Sequence, residues 1–351
     1  MSRRQLLLLL VSLLWPKVGW AAGEWIDMYP ADRLIGEKSR LESRANQMLD
    51  ILRTLLGKTD LPDDQQRLLE SVRVEAPLSD DAGVPLNFFS RYTANAGVVT
   101  TPVFSLLFVE DLCTAYSWLY QRAYSLETID EYVTMLRYRS AAEFPGGQYL
   151  SPLPALGIPL NAYDDPEAGP LGIRFRNSAY AFIIAHELGH ILAGHPSADH
   201  VTMEQSRANE TAADDFAVQT LAFDDEIPMG AILYFLAQAY LMPSLGQFKA
   251  QGRTEQDWVA EMQTKITHPL TAERLQQIAA AIGREAETKT SANSEAANFV
   301  AFKLLKIADW LSDVDLQQCM AVAAARAPIS ALAPQRTSPT QSFLSNCVKQ
   351  P

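Results

Sequence analysis

The sequence predicts an α+β fold, mainly helical, with a small sheet preceding a histidine-bearing helix. Three observations carry this. Apolar residues recur at helical spacing over long stretches of the 351 residues. One short run, Val99 to Val109, is apolar and β-branched, as a strand in a core would be. The string His186-Glu187-Leu188-Gly189-His190 lies between Tyr180–Ala185 and Ile191–Ala193, which together make a good apolar helix.

Taken in order, residues 1–21 read as a secretory signal. Arg3 and Arg4 form the charged start, Gln5 to Trp15 is leucine-rich, and Gly19 and Ala21 supply small residues for cleavage near Ala22. The apolar run is short for a membrane span and is broken by Pro16 and Lys17. The expectation is a periplasmic or secreted chain with no integral membrane span after signal cleavage.

Residues 31–75 read as helical, because Leu34, Leu41, Met48, Leu49, Leu52, Leu55 and Leu56 recur near helical spacing. Pro77 to Pro85 is a turn-rich link, Val99 to Val109 a strand, and Leu112 to Leu136 a helix. Residues 143–178 are rich in Pro and Gly and predict a long loop bordering the histidine helix, placed to wall a cleft. Residues 204–222 predict a helix. So do 229–242, within an apolar stretch that holds Gln238 and is fenced by Pro228 and Pro243, which suits a buried core helix. A helix over 271–282 is ended by Gly283, and 293–325 is amphipathic. After Ala327 the chain turns to Pro, Ser and Thr and reads as loose. The expected divisions are a signal at 1–21, an N-terminal helical segment at 22–80, the metal-site domain at 81–290, a C-terminal helical segment at 291–327 and a tail at 328–351.

The formal charge is −12, and Arg3, Arg4 and Lys17 lie in the signal, so the mature chain is more acidic still. That sign disfavours nucleic acid as a partner. Of the three cysteines, Cys113 sits in an apolar helical run and reads as a buried thiol. Cys319 and Cys347 are placed to pair in an oxidising compartment, although spacing alone does not set connectivity.

The chemistry is concentrated in the histidines. Four of the five (His186, His190, His195, His200) lie within fifteen residues. On a helix, positions i and i+4 share a face about 6 Å apart along the axis, so His186 and His190 can grip one ion. Glu187 sits one step round, where it can take the attacking water's proton and pass it to a leaving amine. A catalytic zinc has three protein ligands and an open position. One zincin class draws its third ligand from a His six residues after the second, with a Gly at the third. Pro196 and Ala193 hold those places here. The other class uses a Glu from a later helix, and Glu210 in Asn209-Glu210-Thr-Ala-Ala-Asp214-Asp215 fits it, with Glu204 as its rival. Asp214, four residues on, can hold the distal N–H of a ligand His, with Asp215 the nearest alternative. Ala212 and Ala213 are small enough to let two helices approach closely. His195 and His200 flank a turn marked by Gly194, Pro196 and Ser197 and read as exposed loop residues. One zinc ion per chain is expected.

His186-Glu187-x-x-His190 followed by Glu210-x-x-x-Asp214 resembles the gluzincin metallopeptidases. Thr267-His268-Pro269-Leu-Thr-Ala-Glu-Arg274-Leu narrows this. It is similar to the His-Pro…Arg motif of the CAAX prenyl protease and HtpX-like (BepA-type) peptidase family, and Asn95 to Phe104 is similar to that family's strand before the zinc helix. The resemblance covers about residues 90–285. It implies a zincin-like peptidase domain acting on protein or peptide substrates. An extended substrate would pair with a sheet edge near Asn95 to Thr101. The resemblance also implies that His268 and Arg274 lie beside the zinc. His268 would donate to the oxyanion or close the site as a fourth ligand, and Arg274 would hold its loop or a nearby carboxylate. Pro269 biases His268 to a loop, and Thr271 is a plausible N-cap for the helix carrying Arg274. The spacing between His190 and Glu210 is shorter than in many members of that family. Phage-exclusion Lit-type and ImmA-type peptidases carry similar His-Glu-Leu-Gly-His helices.

These observations predict a zinc-dependent endopeptidase, with a role in envelope protein quality control. The alternatives are a zinc-stabilised, non-catalytic chaperone or scaffold of envelope proteins, or a narrowly targeted Lit-like peptidase. An intact Glu187 argues against the scaffold.

Overall fold

A stripe of leucines sets the first helix. Leu34, Leu41, Ala45, Leu49, Leu52 and Leu56 all lie buried along α1 (Ala31–Leu56). The computed structural model describes residues 26–79, 86–93, 96–196, 201–223, 227–241, 248–249, 252–263, 270–287, 291–332, 342–344 and 347. The predicted signal, residues 1–21, lies outside them.

The helix expected over 31–75 is interrupted. The chain leaves α1 at Gly57, and Pro62, which keeps the residue before it out of helical geometry, stands as the N-cap where it re-enters helix as α2 (Asp63–Ser71). It then extends as β1 (Arg73–Glu75). With β2 (Phe89–Thr93) and β3 (Ala96–Thr100) this makes a three-stranded sheet in the order β1-β3-β2. β1 pairs parallel to β3, with Val74 opposite Val99, and β2 pairs antiparallel to it, with Arg91 opposite Val98.

The strand read over 99–109 is shorter than expected and starts earlier. Pro102, with φ −55°, stands where α3 (Val103–Gln121) begins, and the apolar residues after it are helical. A continuous apolar run has no period, so its composition does not distinguish strand from helix. α3 is buried on nearly every side, including two acids. Glu110 takes Arg40 at 2.8 Å and Arg44 at 2.7 Å, both from α1. Asp111 takes Arg33 at 3.2 Å and the Tyr29 hydroxyl at 2.9 Å. Buried charges survive only when paired in this way. The helix expected to run from Leu112 to Leu136 breaks after Gln121 and resumes as α4 (Glu127–Tyr138).

Residues 143–178 are not one long loop. Short 3-10 turns and α5 (Pro152–Ala155) lead into α6, which already begins at Ala168 and runs to Ala193. Asp165 Oδ1 accepts the backbone N–H groups of Glu167 at 3.0 Å and Ala168 at 2.8 Å, which starts the helix early. Pro170 falls in its first turn, where no intrahelical donor is lost.

After α6 come α7 (Met203–Phe223) and α8 (Ala231–Leu241), the latter almost wholly buried, as a core helix should be. α9 (Glu255–Gln263) and α10 (Ala272–Ala286) follow. α10 runs through Gly283 rather than stopping at it. An interior glycine costs a helix roughly 1 kcal/mol, which packing on α7 and α11 can offset. α11 (Ser291–Ser312) and α12 (Val314–Arg326) divide at Asp313, whose side chain accepts the Leu316 N–H. Cys319 of α12 is bonded to Cys347, and Cys113 is a buried free thiol. Among the described residues no helix is long and apolar enough to cross a membrane. The architecture is therefore α+β and mainly helical, with its small sheet ahead of the histidine helix in the chain.

Candidate metal centre

The site is built where α6 and α7 touch, and a glycine sets the distance between them. A Cβ on Gly189 would stand 3.0 Å from the Ala213 Cα and 3.3 Å from its carbonyl oxygen, both backbone atoms that cannot swing aside. The glycine of His186-Glu187-Leu188-Gly189-His190 and the alanine of Glu210-Thr-Ala-Ala-Asp214 thus form one close contact. Gly189→Val is expected to push the helices apart, lowering stability by about 1–3 kcal/mol. Denaturant unfolding checks this, and an unchanged midpoint would contradict it.

That contact presents Glu210 to the two histidines. The Nε2 atoms of His186 and His190 are 3.1 Å apart. Glu210 Oε1 lies 3.4 Å from His190 Nε2, and Oε2 lies 3.6 Å from His186 Nε2. All three residues are buried, and one ligand atom from each falls within 4.8 Å of the others. On a tetrahedral ion with bonds of about 2.05 Å, neighbouring ligand atoms stand roughly 3.3 Å apart. The side chains present therefore fit a single metal ion. Glu204, the rival ligand, is exposed at the start of α7.

A second layer of charge holds these groups. His186 Nδ1 lies 2.8 Å from Asp214 Oδ1, so the ring nitrogen facing away from Glu210 meets a carboxylate. Arg274 reaches in from the first turn of α10 with a two-pronged grip. Its Nε donates to Asp214 Oδ2 at 2.7 Å and its Nη2 to Asp214 Oδ1 at 2.9 Å, while Nη1 sits 2.9 Å from Glu210 Oε2. Thr271 Oγ1 accepts the Arg274 backbone N–H at 3.1 Å, which makes Thr271 the N-cap. Burial pushes the Asp214 carboxyl up, but the Arg274 guanidinium and the His186 ring outweigh it and hold it below the ordinary carboxylate range. Asp215, the alternative to Asp214, is on the outer face, 3.8 Å from Arg284. Arg274 thus touches the two carboxylates around the histidine pair and neither histidine's ring in the contacts above.

Glu187 is 1% exposed, on the same turns as the two histidines. His268 and His200 lie outside the described residues. Two further residues adjoin the cluster. His195 is not a free loop residue, because its Nδ1 lies 3.0 Å from His190 Nδ1. Tyr234, buried on α8, has its phenol pushed up by burial, lowered by Arg274, and raised again by Glu187, Asp214 and Glu210. Tyr234 is thus within electrostatic reach of these charged groups. An aromatic in a wholly apolar helix is indistinguishable by pattern from ordinary core.

The sheet edge is not where the resemblance implied. β3 is paired on both sides, so residues 96–100 offer no free edge, and Asn95 is outside the described residues. β2 is an edge strand, and its Tyr92 hydroxyl stands beside Gly194 at the end of α6.

Residues 175–294 match the family model for Peptidase U49. The matched stretch takes in about a third of the chain and contains His186, Glu187, His190, Glu210, Asp214 and Arg274. It is similar to a peptidase family, which supports peptidase activity on protein or peptide substrates. It does not select the CAAX prenyl protease and HtpX-like type. No curated protein and no solved structure matches the chain.

Proposed function

We propose that this chain is a zinc metalloendopeptidase of gluzincin type, exported to the periplasm or secreted, that cleaves envelope proteins as part of their quality control. One observation carries the reading: His186, His190 and Glu210 converge at ligand spacing, with Glu187 on the histidine helix beside them. The Peptidase U49 match over the same residues supports the reaction class. The Cys319–Cys347 bond supports an oxidising compartment, in keeping with the signal read at residues 1–21.

His186, His190 and Glu210 would hold the ion, which when bound supplies Lewis-acid polarisation of the scissile carbonyl and of water. The rest is done by the chain. Glu187 accepts the proton of the attacking water and delivers it to the departing amine. Asp214 keeps the His186 ring turned so that Nε2 faces the ligand cluster, and Arg274 holds Asp214 and Glu210 in place. An extended peptide would lie along the edge of β2, and His268, which the family resemblance puts beside the ion, would steady the oxyanion.

The purified protein is expected to carry about one zinc per chain by elemental analysis, and Glu210→Ala to lose most of it. Full zinc retention in Glu210→Ala would remove Glu210 from the ligand set. Wild-type protein that takes up no zinc would end the proposal.

A further inference from the structure

An imidazole that offers one nitrogen to a metal must carry its proton on the other, and that proton needs an acceptor. For His186 the acceptor is Asp214. For His190 the structure supplies something different. Its Nε2 lies in the ligand cluster, 3.1 Å from His186 Nε2, and its Nδ1 points the opposite way, to His195 Nδ1 at 3.0 Å. The two rings meet edge to face, with centroids 5.0 Å apart.

This contact is built by the end of α6. Gly194 closes the helix in the left-handed conformation, φ 66° and ψ 37°, which glycine adopts without strain. The chain doubles back there, and the His195 backbone N–H bonds to the His190 carbonyl at 3.0 Å. Backbone and side chain of His195 are thus both fastened to the same residue. The turn leaves His195 half-buried beside His190, rather than out in the loop beyond.

We infer that His195 is a positioning residue for the metal: its Nδ1 accepts a hydrogen bond from His190 Nδ1–H, and so fixes His190 in the tautomer whose Nε2 lone pair faces the ion. The two ligand histidines are then held unequally, one by a carboxylate and one by a neutral ring. This rests on the zinc reading above.

The test compares full-length wild type, His195→Ala and His195→Asn, with zinc affinity measured by competition against a chromophoric chelator. An asparagine Oδ1 can take the place of Nδ1 as acceptor, whereas alanine cannot. His195→Ala is expected to bind zinc about 10–100-fold more weakly. His195→Asn is expected to stay within a few-fold of wild type. Long-range proton–nitrogen spectra of the zinc-loaded wild type should show His190 protonated at Nδ1. Wild-type affinity in His195→Ala would overturn the inference while leaving the zinc reading intact. Equal weakening in both variants would also overturn it, since loss of packing alone would then suffice. A wild type that binds no zinc would sink both.

Discussion

Glu187→Gln is expected to keep its full zinc complement and to lose peptide hydrolysis by about 10²–10⁴-fold. The amide has the shape of the carboxylate, so α6 and its contact with α7 should be undisturbed. It cannot take a proton from water, and the step that depends on this transfer stops. Glu187 is almost wholly buried on the same turns as His186 and His190, so no bulk acceptor stands ready to replace it. The measurement is a side-by-side digest of a periplasmic extract and of casein, with zinc content determined on the same preparations. Equal activity in the two proteins would end the proposed role of Glu187. Loss of metal in the variant would instead make Glu187 a ligand, an outcome the grouping of His186, His190 and Glu210 speaks against.

The parts of this site that a helix period dictates were legible in the sequence. His186 and His190 are one turn apart, as are Glu210 and Asp214, so each pair had to share a face once its helix formed. Ala212 and Ala213 were legible as small residues that let two helices approach, though Gly189 was not read as the partner of Ala213. Contacts from outside these two motifs were not legible by helix period. Arg274 reaches Asp214 across sixty residues of chain, and only the resemblance of its segment to a known motif suggested its place. His195 was misplaced because turn residues around it outweighed the cap signal. A glycine four residues after His190, with a histidine next, is the pattern of a left-handed cap that folds the following residue back, and it was there to be read.

The elements that went astray share a physical reason. β1 and β2 are three and five residues long, and neither has a continuous apolar face of its own. They exist because β3 pairs with both. The opening of α6 hides among prolines and glycines whose average composition reads as loop. There the Asp165 carboxylate accepts two backbone N–H groups at the helix start, a contact that average composition does not reveal. Local composition predicts badly wherever one specific contact outweighs it.

Arg274→Met should be the most damaging single change to stability in the metal-free protein. Methionine keeps much of the side chain's length and drops its charge. Arg274, Asp214 and Glu210 are 6%, 3% and 9% exposed in their side chains, so solvent screens little of what is lost. Breaking a buried pair from one side costs about 3–5 kcal/mol, because the partner charge stays behind. Here two carboxylates stay behind. The pH dependence gives the sign. In the wild type the Asp214 carboxyl is held below its ordinary value despite its burial, chiefly by Arg274 and then His186. Its contribution to stability is therefore present above the unfolded value, about 3.9, and is lost as pH falls through the folded one. Without Arg274, burial acts against His186 alone, and the carboxyl moves upward. The stability difference between the two proteins should then be widest near neutrality and narrow towards about pH 4, where protonation relieves the variant of its stranded charge. Thermal unfolding in a chelator across that range measures it directly. Arg274→Lys, which keeps the charge without the two-pronged grip, should fall between them. A deficit that stays constant with pH would mean that Arg274 matters for packing alone, and no deficit at neutrality would mean that Asp214 and Glu210 are already neutral in the folded protein.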